Sequence, residues 1–273
     1  MTLLAQSGAT IGAILLAMAA VAWIETVIPL HLGERASRAH LGANLALTFI
    51  TFATNLFLNM GVVVTLAVLH RLGFGVLNLF PQPAFVAVIA VVLTLDLAFY
   101  VAHVAMHKIP AFWNYHLVHH CDPVVDVTTT IRQHPGESVI RYAFMAAFAF
   151  VLGAGPAAFA VYRTWSALNG LLEHANIRIP VWLDGLLALV TTWPNMHKVH
   201  HSRTREETDT NYGNIFSFWD RIFSTFTSPS RGIDIRYGLD GFDDSTTQTT
   251  QGLLRLPFQV SRRREPSVAP QVG

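Results

Sequence analysis

The feature that most limits how this chain can fold is the segment 41–69, which contains no Asp, Glu, Lys or Arg. Inside a bilayer the backbone polar groups must be paired within the chain itself, so an uncharged apolar segment of this length is typical of a membrane-spanning helix. Residues 11–30, with Glu25 as their only charge, and residues 84–107, with Asp96 as their only carboxylate, have the same character. The sequence therefore predicts three full membrane spans.

A helical hairpin is predicted after these spans. Residues 139–151 and 157–172 are apolar but short for a full crossing, and the second stretch contains Arg163 and Asn169. The two stretches are separated by three turn-forming residues, Gly153, Gly155 and Pro156. A tilted or partly inserted hairpin would return the chain to the side it left. With 52% of its residues hydrophobic and 13% charged, the chain is expected to be an all-α, multi-pass membrane bundle.

The distribution of basic residues predicts the orientation of the bundle. Nothing basic precedes the first span, whereas Arg35 and Arg38 follow it, and basic loops tend to remain in the cytoplasm. The third span is then expected to end on the cytosolic side of what is predicted to be a bacterial cytoplasmic membrane. Further basic residues fall on that side: Lys108, Arg132, Lys198, Arg203 and Arg205. The lack of a basic region before Arg35 also argues against a cleavable signal peptide.

The chain is expected to form one membrane-embedded domain over residues 1–240, followed by a polar, flexible tail over residues 241–273. Within the tail, residues 253–258 adjoin the basic triplet 262–264 and are predicted either to lie on an anionic membrane surface or to be solvated. A formal net charge of +1 argues against a nucleic-acid partner. The single cysteine, Cys121, excludes an intrachain disulfide and a cysteine-based metal site.

Ten of the thirteen histidines fall between residues 103 and 201. They are His103, His107, His116, His119, His120, His134, His174, His197, His200 and His201. Pairs spaced i, i+3 and i, i+4 project from one face of a helix, so each motif is expected to supply two or three nitrogens to one metal ion. No motif completes a site alone, and about eight to ten imidazoles suit two ions of four- to six-fold coordination.

The candidate site residues differ in their support. Eight histidines belong to the three motifs, His174 is expected to be a further ligand, and His134 is expected to be either a ligand or a residue that supports one. Asp96 lies two helical turns before His103 and is expected to accept the ring N–H of a ligand histidine, the alternative being a buried hydrogen bond to a neighbouring helix. Glu137 is predicted to support the centre from close by. Three isolated histidines are interpreted as ordinary core or surface residues: His31, His40 and His70.

Two metal ions with open positions suit chemistry on dioxygen or water, and the residues alone leave three other functions open. A membrane zinc hydrolase would need a carboxylate beside its ligands, as in His-Glu-x-x-His, and that motif is absent. A metal transporter would place its ligands near the membrane midplane on several helices. A haem cytochrome would use single facing histidines. Here the candidate ligands gather at helix ends and in polar segments.

The ordered motifs resemble those of the fatty acid hydroxylase/sterol desaturase superfamily over about residues 90–227. The resemblance rests on His103-x-x-x-His107, Trp113-x-x-His116-x-x-His119-His120 and Thr129-x-x-Arg132-x-His134-Pro135-x-Glu137, followed by His197-x-x-His200-His201, Asn211-Tyr212-Gly213-Asn214 and Trp219-Asp220. It implies a membrane-bound, non-haem di-iron oxidoreductase that uses O2 to hydroxylate or desaturate a lipid. The histidines would bind two Fe2+ ions in a cytosolic helical cap.

The resemblance also implies partners and a branch of the superfamily. The substrate would be a sterol, a hopanoid, an ether lipid or an acyl chain. Electrons would come from a separate protein, a ferredoxin or a cytochrome b5-like protein with its reductase, because the sequence leaves no room for an appended cytochrome b5-like domain. Arg178 stands four residues after His174, where the yeast-type fatty acid hydroxylases carry a further histidine. The chain therefore resembles the sterol desaturase branch more closely.

Overall fold

The computed structural model describes residues 3–31 and 39–264, which fold into a helical bundle. The α-helices of these residues are α1 (Leu3–Val27), α2 (Ala39–Arg71), α3 (Ala84–Lys108), α4 (Pro110–His120), α5 (Pro135–Leu152), α6 (Pro156–Glu173), α7 (Val181–Leu187), α8 (Pro194–His200), α9 (Arg205–Thr208), α10 (Phe218–Ile222) and α11 (Thr250–Arg264). Arg35 and Arg38, on which the predicted orientation rests, lie outside the described residues, as do residues 265–273.

Four segments of the described chain are long and apolar enough to cross a membrane: Gly8–Val27, His40–Asn78, Ala84–Lys108 and Pro135–Leu152. This confirms the predicted all-α, multi-pass fold, and it adds α5 to the three expected spans. The apolar pattern begins only at residue 139, whereas the helix begins at Pro135, because the His134 side chain caps it and proline is well tolerated in a first turn. The extra turn makes α5 long enough for a crossing.

The predicted hairpin is formed by α5 and α6. Gly153 ends α5 in the left-handed conformation, with φ of 77°, and its N–H bonds to the carbonyls of Ala149 and Phe150. A side chain at this position would also collide with the chain after α2, because a Cβ atom would lie 2.7 Å from the Phe74 carbonyl oxygen. Glycine is therefore required there for both conformation and space. Pro156 then opens α6.

Helix α3 lies at the centre of the bundle and packs against α4, α5 and α6. Its buried face carries Val91 and Leu95, which share an apolar core with Met145 of α5 and Phe159 of α6. The same face continues into His103 and His107 in the last two turns of α3. The packing that holds the membrane helices together therefore also places the first histidine pair.

Glu25, the only charge of the first span, connects α1 to the segments around the histidines. Its Oε1 atom accepts hydrogen bonds from the backbone N–H groups of Val127 and Asn176, both at 2.8 Å. Buried backbone N–H groups need an acceptor. These two N–H groups have none within a regular helix or strand, so the Glu25 carboxylate accepts from them instead. Glu25 is thus buried for a structural reason.

The end of the chain differs from the expected flexible tail over helix α11. Leu253 and Leu256 are buried against Ala43 and Leu47 of α2 and against Leu117 of α4. Average hydrophobicity does not indicate this amphipathic helix, because the residues before 250 are polar. Residues 253–258 were predicted either to lie on an anionic membrane surface or to be solvated. Neither alternative describes the two buried leucines, whereas Phe258 is exposed.

Candidate metal centre

The structure brings nine of the ten predicted histidines into two adjacent groups. The five-histidine group contains His103, His107, His116, His120 and His200. The four-histidine group contains His119, His174, His197 and His201. All nine residues are buried, and within each group the potential ligand nitrogens lie within 4.8 Å of one another. The groups come from α3, α4, α8 and the C-terminal end of α6.

The ring nitrogens of the four-histidine group converge on one point. The Nε2 atom of His174 lies 3.1 Å from the Nε2 atoms of His119 and His197 and 3.2 Å from that of His201. The Nε2 atoms of His197 and His201 are also 3.2 Å apart. Three mutually close imidazole nitrogens cannot all be hydrogen-bonded to one another, since each carries either one proton or one lone pair. Nitrogens that bind a common ion at about 2.1 Å have such separations, so the arrangement fits a metal ion.

The five-histidine group shows the same convergence. The Nε2 atom of His116 lies 3.1 Å from those of both His103 and His120. The two groups are in direct contact, because the rings of His120 and His201 are stacked with centroids 4.6 Å apart and planes 20° apart. Two ions bound here would be close neighbours, which is the arrangement predicted from the number of histidines.

Each His-x-x-His-His motif is divided between the two groups: it supplies two of its nitrogens to one group, within the two or three expected, and the third to the other group. His116 and His120 belong to the five-histidine group, and His119 belongs to the four-histidine group. The second motif is divided in the opposite sense, since His197 and His201 join the four-histidine group while His200 joins the other. Neighbouring residues of a helix point about 100° apart, so adjacent histidines face different ions.

Backbone carbonyl groups fix which nitrogen faces the metal. The Nδ1–H groups of His103, His174 and His200 donate to the carbonyls of Tyr212, Gly170 and Thr210, each at 2.8 Å. A carbonyl oxygen can only accept, so Nδ1 carries the proton and Nε2 is left with its lone pair.

Burial keeps six of the nine histidine side chains neutral. It lowers the pKa of His119, His120, His197 and His201 well below the usual value. Burial likewise lowers the pKa of His174 to about 4 and that of His200 to about 3. Because metal ligands must be deprotonated, the lone pairs are available to a metal at neutral pH with little competition from protons.

His134 is not brought into either group, so the alternative that it is a ligand was wrong. Its Nδ1 atom accepts a hydrogen bond from the Gly136 N–H at 2.9 Å and caps the first turn of α5. Its Nε2 atom lies 3.2 Å from the carbonyl oxygen of Leu254 in α11. Both ring nitrogens are therefore occupied, and the side chain joins α5 to α11.

Replacement of His134 by alanine is expected to leave the metal content unchanged and to lower the free energy of unfolding by about 1 kcal/mol, the usual effect of losing a helix cap. Elemental analysis and a detergent unfolding titration on the same preparation measure the two quantities. Loss of metal from the variant would show that the ring is a ligand after all.

Asp96 does not contact a histidine, which corrects its predicted role. Its carboxylate accepts from the backbone N–H groups of Ile215 and Phe216 at 3.1 and 3.0 Å and from the indole N–H of Trp219 at 3.0 Å. Asp96 acts indirectly, because it anchors the loop in which the Tyr212 carbonyl orients His103. The sequence indicated a buried functional acid but not which donors would reach it.

Asp220 holds the same loop from its other side. Its two oxygens accept the N–H groups of Tyr212 and Gly213 at 2.7 and 2.9 Å. This explains the run Asn211-Tyr212-Gly213-Asn214, on which part of the family resemblance rests. Asn211 takes the left-handed conformation, with φ of 54°, and Gly213 lies too close to the Phe216 carbonyl for a side chain. The loop is therefore a rigid frame for two ring-orienting carbonyls.

Two buried carboxylates lie against the ligands. Glu137 is placed near the centre as predicted, with Oε2 3.3 Å from Nδ1 of His116 and Oε1 3.6 Å from a guanidinium nitrogen of Arg141. Glu173 was not among the predicted site residues, yet its Oε1 lies 3.9 Å from Nδ1 of His174 and 4.0 Å from Nε2 of His197. Burial raises the pKa of Glu173 well above its usual range. Its position directly before His174 was the available signal.

A cavity of about 620 Å³ reaches both groups. Its inner end is lined by five of the ligand candidates, His103, His116, His119, His174 and His197. From there it follows α6 from Gly170 to Pro156, which is about 20 Å of helix, between apolar side chains that include Ile14, Phe52 and Met145. Volume and lining suit a long apolar molecule, with its reacting atom at the histidines.

The fold and the site together define a class of protein: a multi-pass helical bundle with two adjacent groups of buried histidines, each able to hold a metal ion, at the end of a cavity. The comparison with protein families agrees, because the model of the family described as "Fatty acid hydroxylase" matches residues 88–225, about half of the chain. The chain belongs to this family, and the predicted superfamily is confirmed. The narrower assignment to the sterol desaturase branch stays a prediction.

Several curated relatives are lipid monooxygenases or hydroxylases. Alkylglycerol monooxygenase from Caenorhabditis elegans is 32% identical over 169 residues, which are 60% of this chain and 31% of the relative. Ornithine lipid hydroxylase OlsE from Rhizobium tropici is 30% identical over 182 residues, 67% of this chain and 53% of the relative. The human alkylglycerol monooxygenase is 28% identical over 147 residues, 54% of this chain and 32% of the relative. The match thus spans between about a third and about half of their length. No solved structure matches significantly.

Proposed function

We propose that this chain is a membrane-bound, non-haem di-iron oxidoreductase that uses O2 to hydroxylate a lipid, with desaturation as the closely related alternative outcome. The observation that carries the proposal is the convergence of nine buried histidines in two groups at the inner end of a largely apolar cavity. The printed names of the relatives support hydroxylation, since they are monooxygenases and hydroxylases of lipids.

The residues present would hold the two ions and shape the reaction. The five- and four-histidine groups would each bind one ion through Nε2, and the carbonyl partners would keep those nitrogens aimed inward. Bound iron supplies the activation of O2 and the cleavage of an unactivated C–H bond. The cavity would align the lipid chain and exclude water from the reacting carbon. Glu137 and Glu173 would accept hydrogen bonds from neighbouring groups, or carry a proton, beside the ligands.

The balance of the reaction requires an external electron donor. In hydroxylation, one oxygen atom of O2 enters a C–H bond to give the alcohol and the other leaves as water, which consumes two electrons and two protons. We propose that a separate electron-transfer protein, ferredoxin-like or cytochrome b5-like with its reductase, supplies the electrons. We also propose the bacterial cytoplasmic membrane as the location, with the histidines on the cytosolic side, on the basis of the basic residues near α3 and α8.

Metal analysis combined with exposure to O2 tests the proposal. Protein purified in detergent from iron-replete cells is expected to contain about two irons per chain, and the reduced form is expected to change its absorption spectrum on exposure to O2. A preparation without bound metal, made with a chelator, serves as the control. Two zinc ions and no response to O2 after reconstitution with iron would contradict the proposal and favour a zinc hydrolase.

A further inference from the structure

One cation in the cavity has no anionic partner. Arg163 lies on α6, lines the cavity, and is only partly buried. Its guanidinium group lies 4.9 Å from the ring centroid of Tyr142 and 3.7 Å from the sulfur of Met145. The ion pairs formed within residues 3–31 and 39–264 do not include Arg163. A charged side chain in an apolar hairpin is costly without a counterion, so this position calls for a function.

The other arginine of the cavity is already neutralised. Arg141 lies 3.6 Å from the carboxylate of Glu137, and its guanidinium group stacks over the ring of Phe99 at 4.4 Å. The two arginines of the cavity therefore differ in whether an anionic side chain neutralises them. Arg141 is paired with Glu137 beside the histidines, whereas Arg163 lines the cavity next to the Tyr142 ring and the Met145 sulfur and forms no ion pair among the described residues.

A second polar side chain of the cavity has an atom without a partner among the described residues. The side-chain oxygen Oδ1 of Asn55 is buried and lines the same cavity. Tyr142 contacts both residues, because its hydroxyl donates to the Asn55 backbone carbonyl at 3.4 Å and its ring lies under the Arg163 guanidinium group. A buried acceptor that lacks a partner costs about 1–3 kcal/mol, which a hydroxyl or N–H group of a bound lipid would recover by donating to Oδ1, whereas an anion cannot.

These polar groups lie at a distance from the histidines. Arg163 precedes Glu173 by ten residues of α6, which is about 15 Å of helix. Side chains of a helix tilt toward its N-terminus, so the guanidinium group is directed away from the metal groups. Apolar side chains, among them Ile14 and Leu56, also line the cavity.

We propose that the cavity binds an amphiphilic lipid with an anionic headgroup, a carboxylate or a phosphate, which is held by Arg163. The oxidised C–H bond then lies in the apolar chain, about 15 Å from the headgroup, and not beside it. This inference rests on the proposed function for the chemistry at the histidines, but the binding of the headgroup needs no turnover.

Equilibrium dialysis in neutral detergent at pH 8 tests the headgroup site with three radiolabelled probes: oleate, oleyl phosphate and oleyl alcohol. The wild-type protein is expected to bind at least one anion about 10- to 100-fold more tightly than the alcohol, the usual range for a charge-assisted hydrogen bond. The Arg163→Met variant is expected to lose this difference while its affinity for the alcohol stays unchanged. The comparison of oleate with oleyl phosphate shows which anion the site prefers.

Two further variants separate recognition from folding. Arg178→Met removes the same charge from an exposed position outside the cavity and is expected to bind like the wild type. Without ligand, Arg163→Met is expected to unfold at the same temperature as the wild type or at a higher one, because it removes an uncompensated charge. A lower unfolding temperature with unchanged binding would assign Arg163 a structural role and overturn the inference.

The outcomes also separate this inference from the proposed function. Equal binding of the anions and the alcohol by the wild type would overturn the inference, even if the protein oxidises a lipid. Binding of an anion that depends on Arg163, in a protein that binds zinc and ignores O2, would support the headgroup site while contradicting the oxygenase.

Discussion

Replacement of His174 by alanine is expected to lower the metal content from about two ions per chain to about one and to reduce turnover more than about 100-fold. His174 is the central member of the four-histidine group, since its Nε2 lies within 3.2 Å of three other ligand nitrogens. Loss of a residue that merely supports a ligand costs about 10- to 100-fold, and a missing ligand should cost more.

Elemental analysis of purified protein and product formation from the lipid substrate measure the two effects. His134→Ala is the matched control, because it removes an imidazole that lies near the centre in sequence but outside both groups. The five-histidine group does not include His174, so the first ion is expected to remain. A His174→Ala variant with two ions and normal turnover would show that the four-histidine group is not a metal site.

The second large effect is expected from Arg132→Met, which should lower the free energy of unfolding by about 3–5 kcal/mol, the usual result of leaving one partner of a buried ion pair uncompensated. Arg132 and Asp122 are both fully buried, with 4.0 Å between guanidinium and carboxylate. Burial alone would raise the pKa of Asp122, but Arg132, His40 and Asn44 outweigh it and hold the pKa at about 2. The carboxylate is therefore ionised at neutral pH and needs its cation.

Arg132 also joins three parts of the fold. Its guanidinium donates to the Asn44 side chain at 2.7 Å, to the Val118 carbonyl at 2.9 Å and to the Gln248 side chain at 2.8 Å. These contacts connect α2, α4 and the segment before α11. The variant would therefore leave several buried acceptors without a donor and one buried carboxylate without its cation.

An unfolding titration in mixed detergent micelles measures the effect of Arg132→Met. The double variant Arg132→Met, Asp122→Asn removes both charges and is expected to recover part of the lost stability, because it leaves no buried ion alone. Arg205→Met is the surface control, since the exposed Arg205 side chain pairs with Asp209 at 3.8 Å, and such pairs contribute about 0–1 kcal/mol. Equal stability of the wild type and Arg132→Met would show that the buried pair does not contribute to folding.

Much of the fold could be predicted because its signals are local. An uncharged segment such as 41–69 can hardly avoid being a buried or membrane-spanning helix, whatever surrounds it. The turn at Gly153 and Pro156 was likewise visible, because glycine readily takes the left-handed conformation that ends a helix and proline cannot continue a preceding one. Helix α11 was missed because only a few leucines in a polar stretch mark it, and their burial depends on α2 and α4.

The sequence by itself determined the identity and number of the candidate ligands and the helical faces from which they project. It could do so because spacings of three and four residues are a property of one helix. Only the tertiary structure decided which of the two groups each histidine joins, that His134 joins neither, and that Asp96 anchors a loop. These outcomes depend on residues from α3, α4, α6 and α8 meeting in space. Contacts between distant segments leave no spacing in the sequence from which they could be read.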